Sequence, residues 1–180
     1  VFQEYWARWK GRDCSEKQRL STMSRQERVL LSIAIAVAHD SDVLILDEPF
    51  RGVDSVGCGK VLAILRDFVK TERRGILISS QDGMDISPVV DDLILIDDGS
   101  LVFHEEKDLL LERHRRIKGT FSMLKQIPNE EFLKVDIGNY GFTGICNDYN
   151  SIKPFCANMA VERSTVSEIM RAYLWRRANA

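Results

Sequence analysis

The sequence predicts an α/β protein, with a three-layer core around a mainly parallel sheet and a small α+β appendage after it. Three observations carry this. Val43-Leu44-Ile45-Leu46 is an unbroken apolar run closed by Asp47, Glu48 and Pro49. A half-exposed strand would alternate, so the run reads as a strand buried on both faces and stopped by its proline. Apolar-rich helical stretches flank it at Val29 to Ala38 and Val56 to Val69, and a second strand, Gly75 to Ser79, follows. That alternation builds parallel pairs. Beyond residue 119 the apolar segments become short and weak until a capped helix begins near residue 165.

Composition bounds the rest. With 180 residues, 44% hydrophobic and 29% charged, the chain has the balance of a globular protein with a real core. A formal net charge of −2 without a long basic block leaves no electrostatic footprint for nucleic acid. Arg113-His114-Arg115-Arg116 reads as the solvated end of a helix. Cys14, Cys58, Cys146 and Cys156 show neither Cys-X-X-Cys spacing nor clustered histidines, which argues against zinc and for unpaired thiols in a reducing compartment. The most apolar helix, Val29 to Ala38, falls far short of the ~20 residues of a membrane span, so any membrane link is expected through a partner.

Taken in order, Val1 to Lys10 carries Phe2, Tyr5, Trp6 and Trp9 at helical spacing, a stripe expected in a core. Ser24 with Glu27 is a capping box opening a helix. A helix N-terminus of that kind is also an anion site. Asp47 and Glu48 sit at the C-terminal end of a strand, the edge where open parallel sheets bind ligands, and two carboxylates there suit holding a metal and orienting a water. The bland alternative is a plain strand end, as where Leu93 to Ile96 runs into Asp97 and Asp98. Asp54 reads as the N-cap of the helix Val56 to Val69. After the strand Gly75 to Ser79 comes the polar turn Ser80-Gln81-Asp82-Gly83. Leu93 to Ile96, Asp98-Gly99-Ser100 and Leu101 to His104 form a hairpin, in which His104 has no second metal ligand in view. Lys107 to Arg116 reads as a helix broken by Ile117-Lys118-Gly119, Gly141 to Ile145 and Phe155 to Val161 as strands, and Thr165 with Glu168 as the cap of a helix through Met170, Tyr173 and Leu174.

Met23-Ser24-Arg25-Gln26-Glu27, a helix, Val43 to Asp54, a helix, a strand and Ser80-Gln81 resemble, in this order and spacing, the C-terminal half of an ABC ATPase, the motor subunit of ABC transporters. The family pattern is Leu-Ser-X-Gly-X, helix, Leu-Leu-Leu-Asp-Glu-Pro-Thr-Ser-Gly-Leu-Asp, helix, strand, Ser-Ser-His. The likeness covers roughly Thr22 to Gly119 and implies the P-loop NTPase fold. It implies residues 1–119 as the C-terminal half of the ATPase domain, with 1–23 a remnant of its helical subdomain, and residues 120–180 as an accessory domain like that of an export-type subset. ATP and Mg²⁺ are the implied ligands. Glu48 would be the catalytic base, Asp47 would hold Mg²⁺ through water, and Gln81 would stand at the γ-phosphate sensor. Ser24 would contact the terminal phosphate of ATP held by the opposite subunit, and Asp54 would lie at the dimer seam.

Two departures are visible: Gln26 replaces a family glycine and Gln81 a family histidine. No Gly-X-X-X-X-Gly-Lys-Ser/Thr occurs, so the expectation is a fragment of a longer protein, inactive alone and exposing sheet edge and apolar face. The resemblance implies a permease partner, a second ATPase subunit, and a place in the cytoplasm on the inner face of the membrane. The alternative is a non-transporting, hydrolysis-impaired regulatory protein on the same fold.

Overall fold

In the computed structural model, which describes residues 18–70, 73–81 and 86–179, Ser24 opens helix α1 (Arg25–Ala38). The Glu27 N–H donates to Ser24 Oγ (3.2 Å) and the Ser24 N–H donates to a Glu27 carboxylate oxygen (2.7 Å), the reciprocal pair of a capping box. Hydrogen bonds from Ser24 hold the Glu27 carboxyl below its ordinary range, the backbone N–H contributing most and the side chain adding to it. Leu30, Ile33, Ala34 and Val37 are buried, the stripe that a 3.6-residue period places on one face. Asp40, at φ +54°, turns the chain out of the helix toward β1 (Val43–Asp47). Phe2, Tyr5, Trp6, Trp9, Cys14, Asp82 and Gly83 lie outside the described residues.

Asp54 caps α2 (Ser55–Val69), its carboxylate accepting the Gly57 N–H at 2.7 Å. Val61, Ile64, Leu65 and Phe68 form the buried face of α2, which packs on α1 and on β2 (Gly75–Ser79). β1 and β2 pair in parallel, Val43 opposite Gly75 through to Asp47 opposite Ser79. Here the expectation of a strand buried on both faces fails. Leu44 is buried, whereas Val43, Ile45 and Leu77 are exposed, Ile45 to 71%. Alternate residues share a face, so one face of this two-stranded sheet is open and apolar, and Asp47 and Ser79 stand at its end. An open apolar face is the surface expected of a piece of a larger sheet.

The chain divides into two compact units, Val1–Met84 and Asp85–Ala180. In the second, β3 (Asp92–Asp97) and β4 (Ser100–Glu106) form the expected hairpin. Asp98 and Gly99 take φ +46° and +70°, the left-handed pair that a tight two-residue hairpin turn requires. Next come α3 (Lys107–Arg113), β5 (Arg115–Gly119), the short α4 (Phe121–Leu124), β6 (Phe132–Ile137), β7 (Phe142–Cys146) and the short α5 (Tyr149–Ile152). β8 (Ala160–Arg163) and α6 (Val166–Ala178) complete the unit, α6 opening with the capping box of Thr165 and Glu168. Strands β6, β7, β5 and β8 form one antiparallel sheet in that order.

Three element boundaries change. The helix at residue 107 ends at Arg113, and Arg115–Gly119 is an inner strand rather than a helix end and a break. The region 155–161 is not one strand: a 3₁₀ turn ends at Phe155 and β8 starts at Ala160. The basic run is not a solvated surface either, since His114 is fully buried. Arg116 and Lys118 point to one side of β5 and pair with Glu162 of the neighbouring strand at 2.7 and 2.8 Å, and Arg116 also pairs with Glu168 at the start of α6.

Candidate functional site at the end of β1

β1 and β2 bring their C-terminal ends together, and a serine ties them. The Ser79 hydroxyl donates to an Asp47 carboxylate oxygen (2.5 Å) and accepts the Glu48 N–H (3.1 Å). A single side chain thus fixes the Asp47 rotamer and the path of the backbone into Glu48. Ser79 was not among the predicted site residues. Its role needs the parallel register that puts it opposite Asp47.

Glu48 leaves the strand with φ +48°, a left-handed conformation uncommon outside glycine that costs on the order of 1–3 kcal/mol. One of its carboxylate oxygens is buried and has no hydrogen-bond partner. Buried charged oxygens are costly unless paired, so the chain holds this carboxylate in an arrangement that folding alone does not favour. Two successive turns follow, in which the Arg51 N–H donates to Glu48 O and the Val53 N–H to Phe50 O, both at 3.1 Å. Buried Phe50 and Val53 anchor the loop.

An open groove of about 550 Å³ runs along the apolar side of β1 and ends at these acids. α1 supplies Arg25, Arg28 and Ser32 to it, β1 supplies Ile45 and Asp47, and Glu48 follows from the loop. The first turn of α1 and the strand end therefore line one surface, which brings the neighbourhood of Ser24 to the acidic pair. Asp54 sits beyond the turn at the start of α2, and Gln81 is exposed two residues past the end of β2. Among the described residues no group of three or more His, Cys, Asp or Glu side chains could enclose a metal, and His104 lies 3.6 Å from Asp92 alone. Cys58, Cys146 and Cys156 are unpaired and buried, and burial pushes the Cys146 thiol up to about 11, so it stays protonated and unreactive near neutrality.

Comparison with known proteins addresses what such a strand end belongs to. No protein-family model matches the chain. ABC transporter G family member 4 of Arabidopsis thaliana is 35% identical over 89 residues, 49% of this chain and 15% of that protein. The ABC transporter ATP-binding protein NatA of Bacillus subtilis is 30% identical over 101 residues, 54% of this chain and 39% of that one. The thiamine import ATP-binding protein ThiQ of Rhizobium meliloti is 30% identical over 92 residues, 51% of this chain and 39% of that one. Over about half its length the chain is similar in sequence to ABC transporter ATP-binding proteins. A solved structure of a candidate cobalt transport ATP-binding protein matches 86% of this chain and 59% of its own with a TM-score of 0.50 at 20% identity, which shows the fold to be that of an ABC ATPase. The chain spans between 15% and 39% of the lengths of these three relatives. No helix among the described residues is long and apolar enough to cross a membrane.

Proposed function

We propose that the full-length protein is the ATP-hydrolysing subunit of an ABC transporter, with Glu48 as its catalytic carboxylate. The observation that carries this is the state of Glu48, held left-handed with an unpartnered buried oxygen beside an Asp47 already braced by Ser79. The relatives are named as ABC transporter or import ATP-binding proteins, which favours a transporter subunit over a regulatory protein on the same fold.

The residues fit a magnesium nucleotide. Their donors are hard oxygens, and with no three-ligand protein cage among the described residues, Asp47 suits a Mg²⁺ that keeps its waters and its phosphate ligands. Bound MgATP supplies the reactive phosphoryl group and the charge that neutralises its oxygens. The chain's own residues divide the remaining work. Ser79 donates to one Asp47 oxygen, and the other would be available to a hydrated Mg²⁺. Glu48 accepts a hydrogen from the attacking water and fixes its orientation. Gln81 hydrogen-bonds at the γ-phosphate position as a neutral donor where a histidine could carry charge. Ser24 and Asp54 serve the dimer seam, Ser24 toward ATP held by a second ATPase subunit. A membrane permease and a position on the inner face of the membrane complete the proposal. The accessory domain drawn at 120–180 would then also use β5 as one of its strands.

The test is steady-state phosphate release by the full-length protein with Mg²⁺ and ATP. Release that depends on Mg²⁺ is expected, and no hydrolysis or magnesium-independent hydrolysis would end the reading. The 180-residue chain alone, which has no Gly-X-X-X-X-Gly-Lys-Ser/Thr to cradle the triphosphate, is expected to show no micromolar ATP affinity by calorimetry.

A further inference from the structure

We propose that Gln26 is a positioning residue, a latch that joins the first turn of α1 to the segment after β1, so that Ser24 and Asp54 are held as one rigid piece. The functional half of this rests on the reading above, and the structural half does not. With its amide oriented as the surrounding donors and acceptors require, the Gln26 nitrogen donates to both Asp54 carboxylate oxygens, at 3.0 and 3.2 Å. The same carboxylate accepts the Gly57 N–H at 2.7 Å. Asp54 therefore receives hydrogen bonds from two helices, one through its own cap and one through a side chain of α1.

Glycines in the facing segment make the room. A Cβ at Gly57 would lie 2.7 Å from the Gln26 amide carbon and 2.5 Å from the Val53 side chain. At Gly52, with φ +71°, a Cβ would fall 2.7 Å from Arg25 Nε. Both side chains that follow Ser24 thus fold back over their own chain's loop, each against a glycine. This changes the meaning of Gln26. From sequence it is only a departure from a family glycine, whereas in the structure its side chain is engaged by Asp54. A neutral amide also meets the carboxylate without cancelling its charge, and its bond to an ionised acceptor is stronger than a neutral one.

The experiment uses the full-length protein and two readouts. Hydrogen exchange follows the Gly57 amide and its neighbours in wild type, Q26A, Q26E and Q26E/D54N. Q26E sets two carboxylates face to face and is expected to speed exchange at Gly57 at least about tenfold. Q26A is expected to speed it less, and serves if Q26E does not fold. In the double variant the amide introduced by D54N can donate to the carboxylate introduced by Q26E while its oxygen keeps the Gly57 cap, so protection is expected to return to within about threefold of wild type. Unchanged exchange in Q26A and Q26E, or no recovery in the double variant, would overturn the latch. Phosphate release supplies the second readout: Q26E is expected to lower kcat at least about tenfold with KM for ATP moved less than about twofold, because the latch orients the seam and not the chain's own nucleotide. Exchange effects with kcat unchanged would reduce Gln26 to a structural bond and overturn its positioning role. Exchange effects in a full-length protein that never hydrolyses ATP would leave the latch standing and remove the ATPase reading.

Discussion

The β1–β2 pair and the four-stranded sheet of β6, β7, β5 and β8 are built to opposite standards. On β1, Ile45 is 71% exposed, while on β5, Ile117 is fully buried. The first pair ends in a strained Glu48 with an orphan oxygen. The second is closed by paired charges and by a buried histidine whose ring nitrogens are both engaged. His114 Nδ1 lies 2.9 Å from Cys146 O, and Nε2 lies 3.1 Å from the Tyr173 hydroxyl and 3.2 Å from Arg113 Nε. Completeness of packing and readiness for chemistry are therefore separated along the chain. The segment with the chemically suggestive residues leaves an open apolar strand face and a carboxyl oxygen unpartnered, and the segment without them closes around Ile117 and its paired charges, its buried Ser164 hydroxyl apart.

The sharpest way to break this comparison is to truncate an isoleucine on each side. Ile169→Ala, on the buried face of α6, is expected to cost about 2–5 kcal/mol, whereas Ile45→Ala on the open face should stay within about 0.5 kcal/mol. Hydrogen exchange in the 180-residue chain measures both. A cost at Ile45 equal to that at Ile169 would show that the β1 face is covered within the chain itself.

A smaller effect probes chemistry at the strand ends. Gln81→His, which restores a donor able to carry charge, is expected to raise phosphate release about tenfold. An unchanged or lower rate would mean that Gln81 does not limit the reaction.

The smallest expected effect belongs to His114. Burial is the main cause that pushes its pKa below 6.5, with the neighbouring Arg113 adding to the shift and the bond to Cys146 O opposing it. The unfolded chain then binds the proton more readily than the folded one, so stability rises with pH in this range. The contribution of His114 is fully present above pH 6.5 and is lost as pH falls below it toward the lower folded value. Urea midpoints between about pH 7.5 and 5 should decline as the pH is lowered, and His114→Gln should flatten that decline. An equal slope in both proteins would assign the effect elsewhere.

What was legible in the sequence was what short-range chemistry decides. Ser24 with Glu27 and Thr165 with Glu168 cap their helices because the partners lie three residues apart. The hairpin turn follows from Asp98-Gly99 alone. The strand ending in Asp47 and Glu48 is visible as an apolar run, but its open face is not, because exposure depends on what covers the sheet. The Ser79–Asp47 and Gln26–Asp54 bonds join segments far apart in the chain, which no local pattern encodes. β5 was hidden for a related reason. Its only large apolar residue is Ile117, and its arginine and lysine are drawn into the fold by Glu162 and Glu168, 44 to 52 residues away. The alternation of Arg116, Ile117 and Lys118 was the one available signal.

The central claim is that Glu48 is held for catalysis rather than for folding, and the Glu48→Gln variant tests it most directly. The amide keeps the side chain's shape and removes the negative charge that polarises the water. In the full-length protein, ATP binding should be retained while steady-state phosphate release falls by roughly 10²–10³, the loss expected when about 2.7–4 kcal/mol of transition-state stabilisation is removed. Phosphate release at the wild-type rate, with ATP bound equally well, would contradict the assignment.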